Sequence, residues 1–254
     1  VFSVFIDEEY EQFSQEVRLV SPVGEKFDWL GGLFYQTSEL GFDDDIKIPE
    51  NSILGLVSGG ALAQLNGQGA GRNYQLDTDM WSVFFQGRYH FTDALTLTLG
   101  GRYSSETKTS SRVMNVTDLT TGNITENPVS PILFDTVFGI QNEQSPLSPQ
   151  GHNLAGERDE SSFTPLINVS YKIDQDIMLY ASATTGFKAG GFDARANNIN
   201  SWEFEEEEAT AYEMGIKSLL VDDTLEINLS FYRTEYDNLQ VSQFDGVLGF
   251  NVGN

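Results

Sequence analysis

Apolar and polar residues alternate at period two in eight segments of the 254-residue sequence, and the segments come in pairs across short turns. Leu95, Leu97 and Leu99 alternate with Thr96 and Thr98, the pattern of a strand with one apolar face. In the preceding run, Trp81, Val83, Phe85, Tyr89 and Phe91 share one face, while Ser82, Gln86, Arg88 and His90 share the other. Thr92-Asp93-Ala94 joins the two as a tight hairpin. The same unit recurs at 13–20 with 27–37, at 163–172 with 177–188, and at 212–218 with 224–236. Between hairpins lie three long connections, 38–79, 108–162 and 188–209, so short turn and long loop strictly alternate.

A transmembrane helix needs about 20 consecutive apolar residues, and the sequence contains no such run. A membrane span would therefore be built from strands. The chain has no cysteine and two histidines, which excludes disulfide scaffolds and thiolate metal sites and leaves little material for zinc. A formal net charge of −24 argues against nucleic-acid binding, which needs clustered Lys and Arg. With 18 Phe, 10 Tyr and 3 Trp, the composition is also too aromatic for a disordered acidic chain.

The aromatics sit at strand ends. On the apolar face, Tyr35, Trp81, Tyr103, Phe163 and Tyr212 fall toward the long connections, and Trp29, Tyr89, Phe91 and Tyr171 toward the short turns. Val83, Leu97, Leu99, Ile167 and Val169 lie between them. Eight steps at ~3.4 Å per residue and ~40° tilt separate the two rows by about 21 Å, close to the ~25 Å apolar band of an outer-membrane barrel. A soluble core would place its largest rings centrally. No ionised residue interrupts this face from Trp81 to Phe231; the first are Arg233 and Glu235. The opposite face carries Arg88, Arg102, Asn168, Glu213, Lys217, Glu226 and Asn228, a mixed set that requires a wet or polar lumen.

These stretches resemble a known family. FSQEVRL at 13–19, FDWLGGLFY at 27–35, LTLTLGGRY at 95–103, LYASATTGFKAGGF at 179–192 and YEMGIK at 212–217 are similar, in order and spacing, to the barrel domain of TonB-dependent outer-membrane receptors. The ending, with NLQV at 238–241 and GFNVGN at 249–254, fits the same series. The resemblance implies an all-β, antiparallel transmembrane barrel of 22 strands with long extracellular loops and a plug domain in its lumen. It implies a cell outer membrane location, lipid and lipopolysaccharide as surroundings, and active transport of a ferric siderophore, with cobalamin or oligosaccharide as other solutes of the architecture. About eight strands fit in this chain, so residues 1–254 are expected to be one part of such a barrel. The plug, the TonB-contacting segment and the barrel C-terminus, usually closed by an aromatic where this chain has Asn254, are expected to lie elsewhere. Two competing readings are a small self-contained barrel, adhesive or structural, whose first and last strands pair, and a soluble glycan-binding β protein.

No catalytic arrangement, metal set or cofactor motif emerges. The acidic runs Asp43-Asp44-Asp45 and Glu203 with Glu205 to Glu208 lack the spacing of a calcium loop and read as solvated surface. Gly67 to Gly71 lacks the Lys-Ser/Thr continuation of a phosphate loop and reads as a flexible connection. Ile53 to Leu65 reads as a helix folded into the barrel mouth, and His90 and His152 have no third partner. For ligand capture, aromatic faces and guanidinium groups on the loop side suit an anionic ferric complex. They single out Arg72, Tyr74, Lys188, Arg195 and Trp202. In the folded full-length protein, spin labels at Leu99 and Ile227 are expected to contact acyl chains; labels shielded from lipid at both positions would defeat the membrane reading.

Overall fold

In the computed structural model, the described residues are 2–127, 129–130, 133–134, 152–194, 202–222, 224–244 and 250–254. Eight antiparallel strands form one continuous sheet in the order β1-β2-β3-β4-β5-β6-β9-β10. They are β1 (Ser3–Val20), β2 (Phe27–Ile48), β3 (Gln68–His90), β4 (Leu95–Asp118), β5 (His152–Lys172), β6 (Ile177–Lys188), β9 (Glu207–Leu220) and β10 (Leu225–Asp237). Two small ribbons accompany the sheet: β7 (Gly191–Phe192) with β8 (Glu203–Phe204), and β11 (Val241–Phe244) with β12 (Phe250–Gly253). No described helix is long and apolar enough to cross a membrane.

The sheet is open. Strands β1 and β10 are its two edges, and every residue of both is exposed. The self-contained barrel requires these two strands to pair, so that reading fails on the strand order. The outer apolar residues also lack a second sheet to pack on: Leu33 is 60% exposed and Phe85 50%.

The register fixes the faces, because directly paired residues point the same way. Tyr35 pairs with Trp81, and Phe27 with Tyr89, placing both expected girdles on one side of the sheet. Tyr103 pairs with Phe163, opposite Val83, one same-face step nearer the short turns than Trp81. Tyr212 pairs with Ala183, in line with Ile167 and Leu99, two same-face steps further. Hydrogen-bond rows run perpendicular to the strands. In a barrel whose strands lean ~40° from the membrane normal, a girdle at constant depth must therefore slip in register from strand to strand. Trp81 and Tyr103 remain in contact across this step, with ring centroids 5.6 Å apart.

The long connections are shorter than the alternation indicates. The expected 38–79 becomes 49–67, because β2 and β3 continue past the girdle for another ten or so residues each; likewise β4 runs to Asp118 and β5 begins at His152. The physical reason is a change of phase. Within the girdles the outer face is apolar (Trp29, Leu33, Tyr35) and the inner face carries most of the polar residues of the sheet (Asp28, Gln86, Arg88, Thr98), with Leu30 and Phe34 as apolar exceptions on β2. Beyond them the outer face carries Glu39, Asp43 and Asp45, and the inner face Leu40, Phe42, Ile46 and Ile48. The strand is unbroken, but the solvent on its outer side changes from hydrocarbon to water.

The inverted part builds a conventional core. Ile46, Ile48, Leu65, Ala70, Met114, Val116 and Phe134 are all at most 5% exposed and form one cluster. Burying each Leu, Ile or Met side chain contributes ~1.5–3 kcal/mol. Leu65 belongs to a single 3-10 turn (Ala63–Leu65), and only Leu54–Val57 is α-helical, so the helix expected over Ile53 to Leu65 reduces to two short turns. Of the run Gly67 to Gly71, read as a loose connection, all but Gly67 lie inside β3. Within the girdled band a glycine serves close packing: a Cβ on Gly101 would meet the Phe163 ring at 2.7 Å.

Arg at Val169 is expected to cost ~2–4 kcal/mol of stability near the bilayer midplane, whereas Arg at the adjacent, lumen-side Ser170 is expected to be mild. Urea unfolding in lipid vesicles measures both; equal losses would contradict the assignment of faces.

Candidate functional site at the long-connection end

Above the girdle, the inner face gathers residues from distant parts of the sequence. Phe42, Tyr74, Arg112 and Leu154 lie in one hydrogen-bond row across β2, β3, β4 and β5, and Asp44, Arg72 and Met114 lie in the next. Arg72 donates two hydrogen bonds to the Asp44 carboxylate. The pair is largely buried, with side-chain exposures of 15% and 6%.

The connection after β6 folds onto this surface. The Tyr74 hydroxyl donates to the Phe192 carbonyl (3.0 Å), Arg112 donates to the Ala194 carbonyl, and Lys108 Nζ donates to the Gly190 carbonyl (2.7 Å). The Gly190 amide donates to Glu160 Oε2 (2.9 Å). Phe192 packs against Gly156, where a Cβ would meet its ring at 2.5 Å. The Trp202 ring stands edge-on to Tyr74 at 5.8 Å and tilted against Phe192 at 5.4 Å. Tyr74, Leu154, Phe192 and Trp202 form a second buried cluster. Trp202 Nε1 is buried without a hydrogen-bond partner, so apolar packing rather than polar pairing fixes that ring.

Charge is concentrated beside the aromatic cluster. Arg158 reaches Glu160 (2.6 Å), Glu203 (2.8 Å), Glu205 (2.9 Å) and Glu206 (3.7 Å). Burial opposes its protonation, but the hydrogen bonds it donates to Glu205 and Glu160 prevail and raise its pKa. For Arg112, burial followed by repulsion from Arg72 brings the pKa down to about 9. Burial pushes the Tyr74 hydroxyl up to about 12, with Asp193 adding to the shift and the Ser110 hydrogen bond opposing it.

Of the five sequence-selected capture residues, the structure brings Arg72, Tyr74 and Trp202 into this one assembly. Lys188 stands apart and exposed at the end of β6, paired in register with Glu207. Arg195 lies outside the described residues, as does the side chain of His152. Arg88, Arg102, Asn168, Glu213, Lys217, Glu226 and Asn228 all occupy the inner face by register. Arg102 lies over the rings of Phe34 (5.3 Å) and Phe84 (5.8 Å), two inner-face aromatics absent from the sequence reading. His90 is held between Thr96 Oγ1 (2.9 Å) and Asp28 Oδ2 (3.1 Å).

The acidic runs are not uniformly solvated. Asp44 is buried against Arg72, and three glutamates of the second run gather on Arg158. Among the described residues, no group of three or more His, Asp or Glu side chains is arranged to hold a metal ion. Sequence reasoning passed over Lys108, Arg112, Arg158 and Phe192. The first two share the even-numbered phase of Met114 and Val116, a signal that inner-face alternation continues beyond Tyr103.

A tall antiparallel sheet with a girdled apolar outside, a polar inside and folded connections at one end defines an outer-membrane receptor barrel. The family model "TonB dependent receptor-like, beta-barrel" matches residues 5–254, and the chain belongs to this family of Gram-negative outer-membrane proteins. It is 25% identical over 173 residues to the ferric-pyoverdine BN7/BN8 receptor of Pseudomonas putida, covering 68% of this chain and 17% of that protein. The ferric yersiniabactin uptake receptor FyuA of Yersinia pestis has a similar fold (TM-score 0.69, 12% identity), covering 100% of this chain and 31% of that one. The siderophore receptor PiuA of Acinetobacter baumannii is also similar in fold (TM-score 0.60, 15% identity), with coverages of 98% and 34%. The chain thus spans about a third or less of each of these proteins.

Gly156→Leu is expected to displace Phe192 and loosen the folded connection while leaving the sheet intact. In the full-length receptor with every tryptophan except Trp202 replaced by Phe, Trp29 and Trp81 included, the Trp202 emission should then shift to the red and become accessible to iodide. Unchanged emission would mean the connection is held elsewhere.

Acidification tests a second element. The amides of Thr120 (2.8 Å) and Thr121 (2.9 Å) donate to Asp118 Oδ1. The Thr121 and then the Thr120 amide hold that carboxyl below the ordinary carboxylate range. A depressed folded pKa stabilises the turn above the ordinary carboxylate pKa and loses that contribution as pH falls through the folded value. Amide exchange at Thr120 and Thr121, corrected for its intrinsic pH dependence, should accelerate only on acidification through that window, and an Asp118→Asn variant should abolish the response.

Proposed function

We propose that the chain is a section of the barrel of a TonB-dependent active-transport receptor that captures and imports ferric siderophores, without chemical catalysis. Strands beyond the open edges at β1 and β10, an N-terminal plug and the TonB complex belong to the full-length protein in this reading. The open edges support it directly: unpaired N–H and C=O groups cost several kcal/mol each in hydrocarbon, so both strands require neighbours.

The observation that carries the substrate class is the distribution of scarce cations. The chain has 14 Lys and Arg, and on the described strands only Lys47 and Arg233 point outward. Arg72, Lys108, Arg112 and Arg158 all lie on the inner face at the extracellular end, beside Tyr74, Phe192 and Trp202. These cations are already paired with Asp44, Glu106, the Ala194 carbonyl and Glu160 with Glu203, Glu205 and Glu206, so a bulky anionic chelate reaches the guanidinium groups and aromatic faces by displacing the connection after β6 and its carboxylates. The receptors similar to this chain carry ferric-pyoverdine, ferric yersiniabactin and siderophore in their names, which agrees with that chemistry.

The test uses the full-length receptor in a Gram-negative host stripped of its own siderophore receptors. TonB-dependent radioiron uptake from ferric pyoverdine or another ferric siderophore is expected. Tyr74→Ala with Trp202→Ala should weaken ferric siderophore binding about tenfold, or ~1.4 kcal/mol. Uptake of cobalamin or an oligosaccharide with no ferric complex accepted would overturn the substrate.

A further inference from the structure

Four donors on the inner face give hydrogen bonds to oxygens of a single connection. The Tyr74 hydroxyl donates to the Phe192 carbonyl, Lys108 to the Gly190 carbonyl and Arg112 to the Ala194 carbonyl. Arg158 donates through Nη1 to Glu203 and through Nη2 to Glu205. Tyr74 and Arg112 share one hydrogen-bond row, and Lys108 and Arg158 share another four residues along β4, so the donors span about 14 Å of strand. The donors come from three neighbouring strands, β3, β4 and β5, while the acceptors come from 190–194 and 203–205 alone. An oxygen-rich ligand seated across the strands would make the same pattern.

A vacant site of this composition needs such acceptors. Tyr74 and Arg112 are buried, and a buried donor left without an acceptor carries the full desolvation penalty. Around Arg158 the supply exceeds the need. Glu160, buried on the same strand, already accepts from Nε and Nη2. Glu203, Glu205 and Glu206 then add three half-exposed carboxylates to one guanidinium. Exposed pairs hold weakly, and three like charges in one place repel each other. The contact fills the site but yields to an anion that brings its own oxygens.

We propose that residues 190–194 and 203–206 are an internal stand-in for the solute, with Glu203, Glu205 and Glu206 setting how readily an anionic chelate exchanges with them. This exchange presupposes the ferric complex proposed above and gives its capture a direction. Solute and connection exclude each other, so binding releases the connection instead of closing it over the solute.

The test is amide hydrogen exchange of the full-length receptor in detergent, with and without ferric pyoverdine or a ferric tris-catecholate, beside equilibrium binding of the same complexes. Heat-modifiable gel mobility verifies folding. The Gly190 amide donates to Glu160 and the Asp193 amide to the Trp202 carbonyl; on binding, exchange at both is expected to accelerate at least about fivefold. Glu203→Gln, Glu205→Gln and Glu206→Gln together should accelerate the same amides with no solute present and tighten binding at least about fivefold. Asp43→Asn with Asp45→Asn, on the outer face, should change neither. Slower exchange at Gly190 and Asp193 on binding, unaltered affinity in the triple variant, or equal tightening in the outer-face variant overturns the stand-in and leaves the substrate class intact. Binding of neither ferric complex by either protein removes the substrate class and the stand-in with it.

Discussion

Backbone hydrogen bonding in hydrocarbon governs this molecule. No water is available in the bilayer core to satisfy a peptide group, so each strand must be laddered on both sides. The eight-stranded meander meets that demand at every internal strand and leaves it open at β1 and β10. Short turns at one end keep consecutive strands adjacent, and the register this imposes decides which side chains meet lipid and which meet the lumen. Girdles, lumen lining and the buried cluster above them all depend on that ladder.

On the same ladder, two solvents impose opposite patterns. Between the girdles the outside is hydrocarbon and the inside polar. Above them the outside is water, so carboxylates such as Glu39 and Asp43 move outward, and Leu40, Phe42 and Ile46 turn inward to make a core for the connections. That core positions Arg72, Arg112 and Tyr74 beneath the connection after β6. The extracellular chemistry thus rests on an ordinary soluble-protein interior built on a membrane scaffold.

The legible part of the sequence was the part with a single phase. Leu95 to Tyr103 and Trp81 to Phe91 alternate without interruption, and the strands, turns, faces and girdle residues followed from them. Beyond Thr37 and Tyr103 the apolar residues shift to the other parity, so a search for one fixed face reads a continuing strand as a loop. Tyr74, Arg72 and Trp202 could be chosen by residue type, but their convergence depends on pairings between residues such as Tyr74 and Phe192 that are 118 positions apart. Lys108 and Arg158 were missed for the same reason: their task is to hold a connection whose position local pattern does not encode.

The reversal of parity along each tall strand also disciplines assembly. A strand slipped by one residue would drive its lower half's polar side chains into lipid and, in the same movement, turn the upper half's aliphatic side chains out into water. Neither error can compensate for the other, because one backbone carries both. The waterline written into β2, β3 and β4 therefore acts as a proofreading mark, making the correct threading costly to mistake at two heights at once.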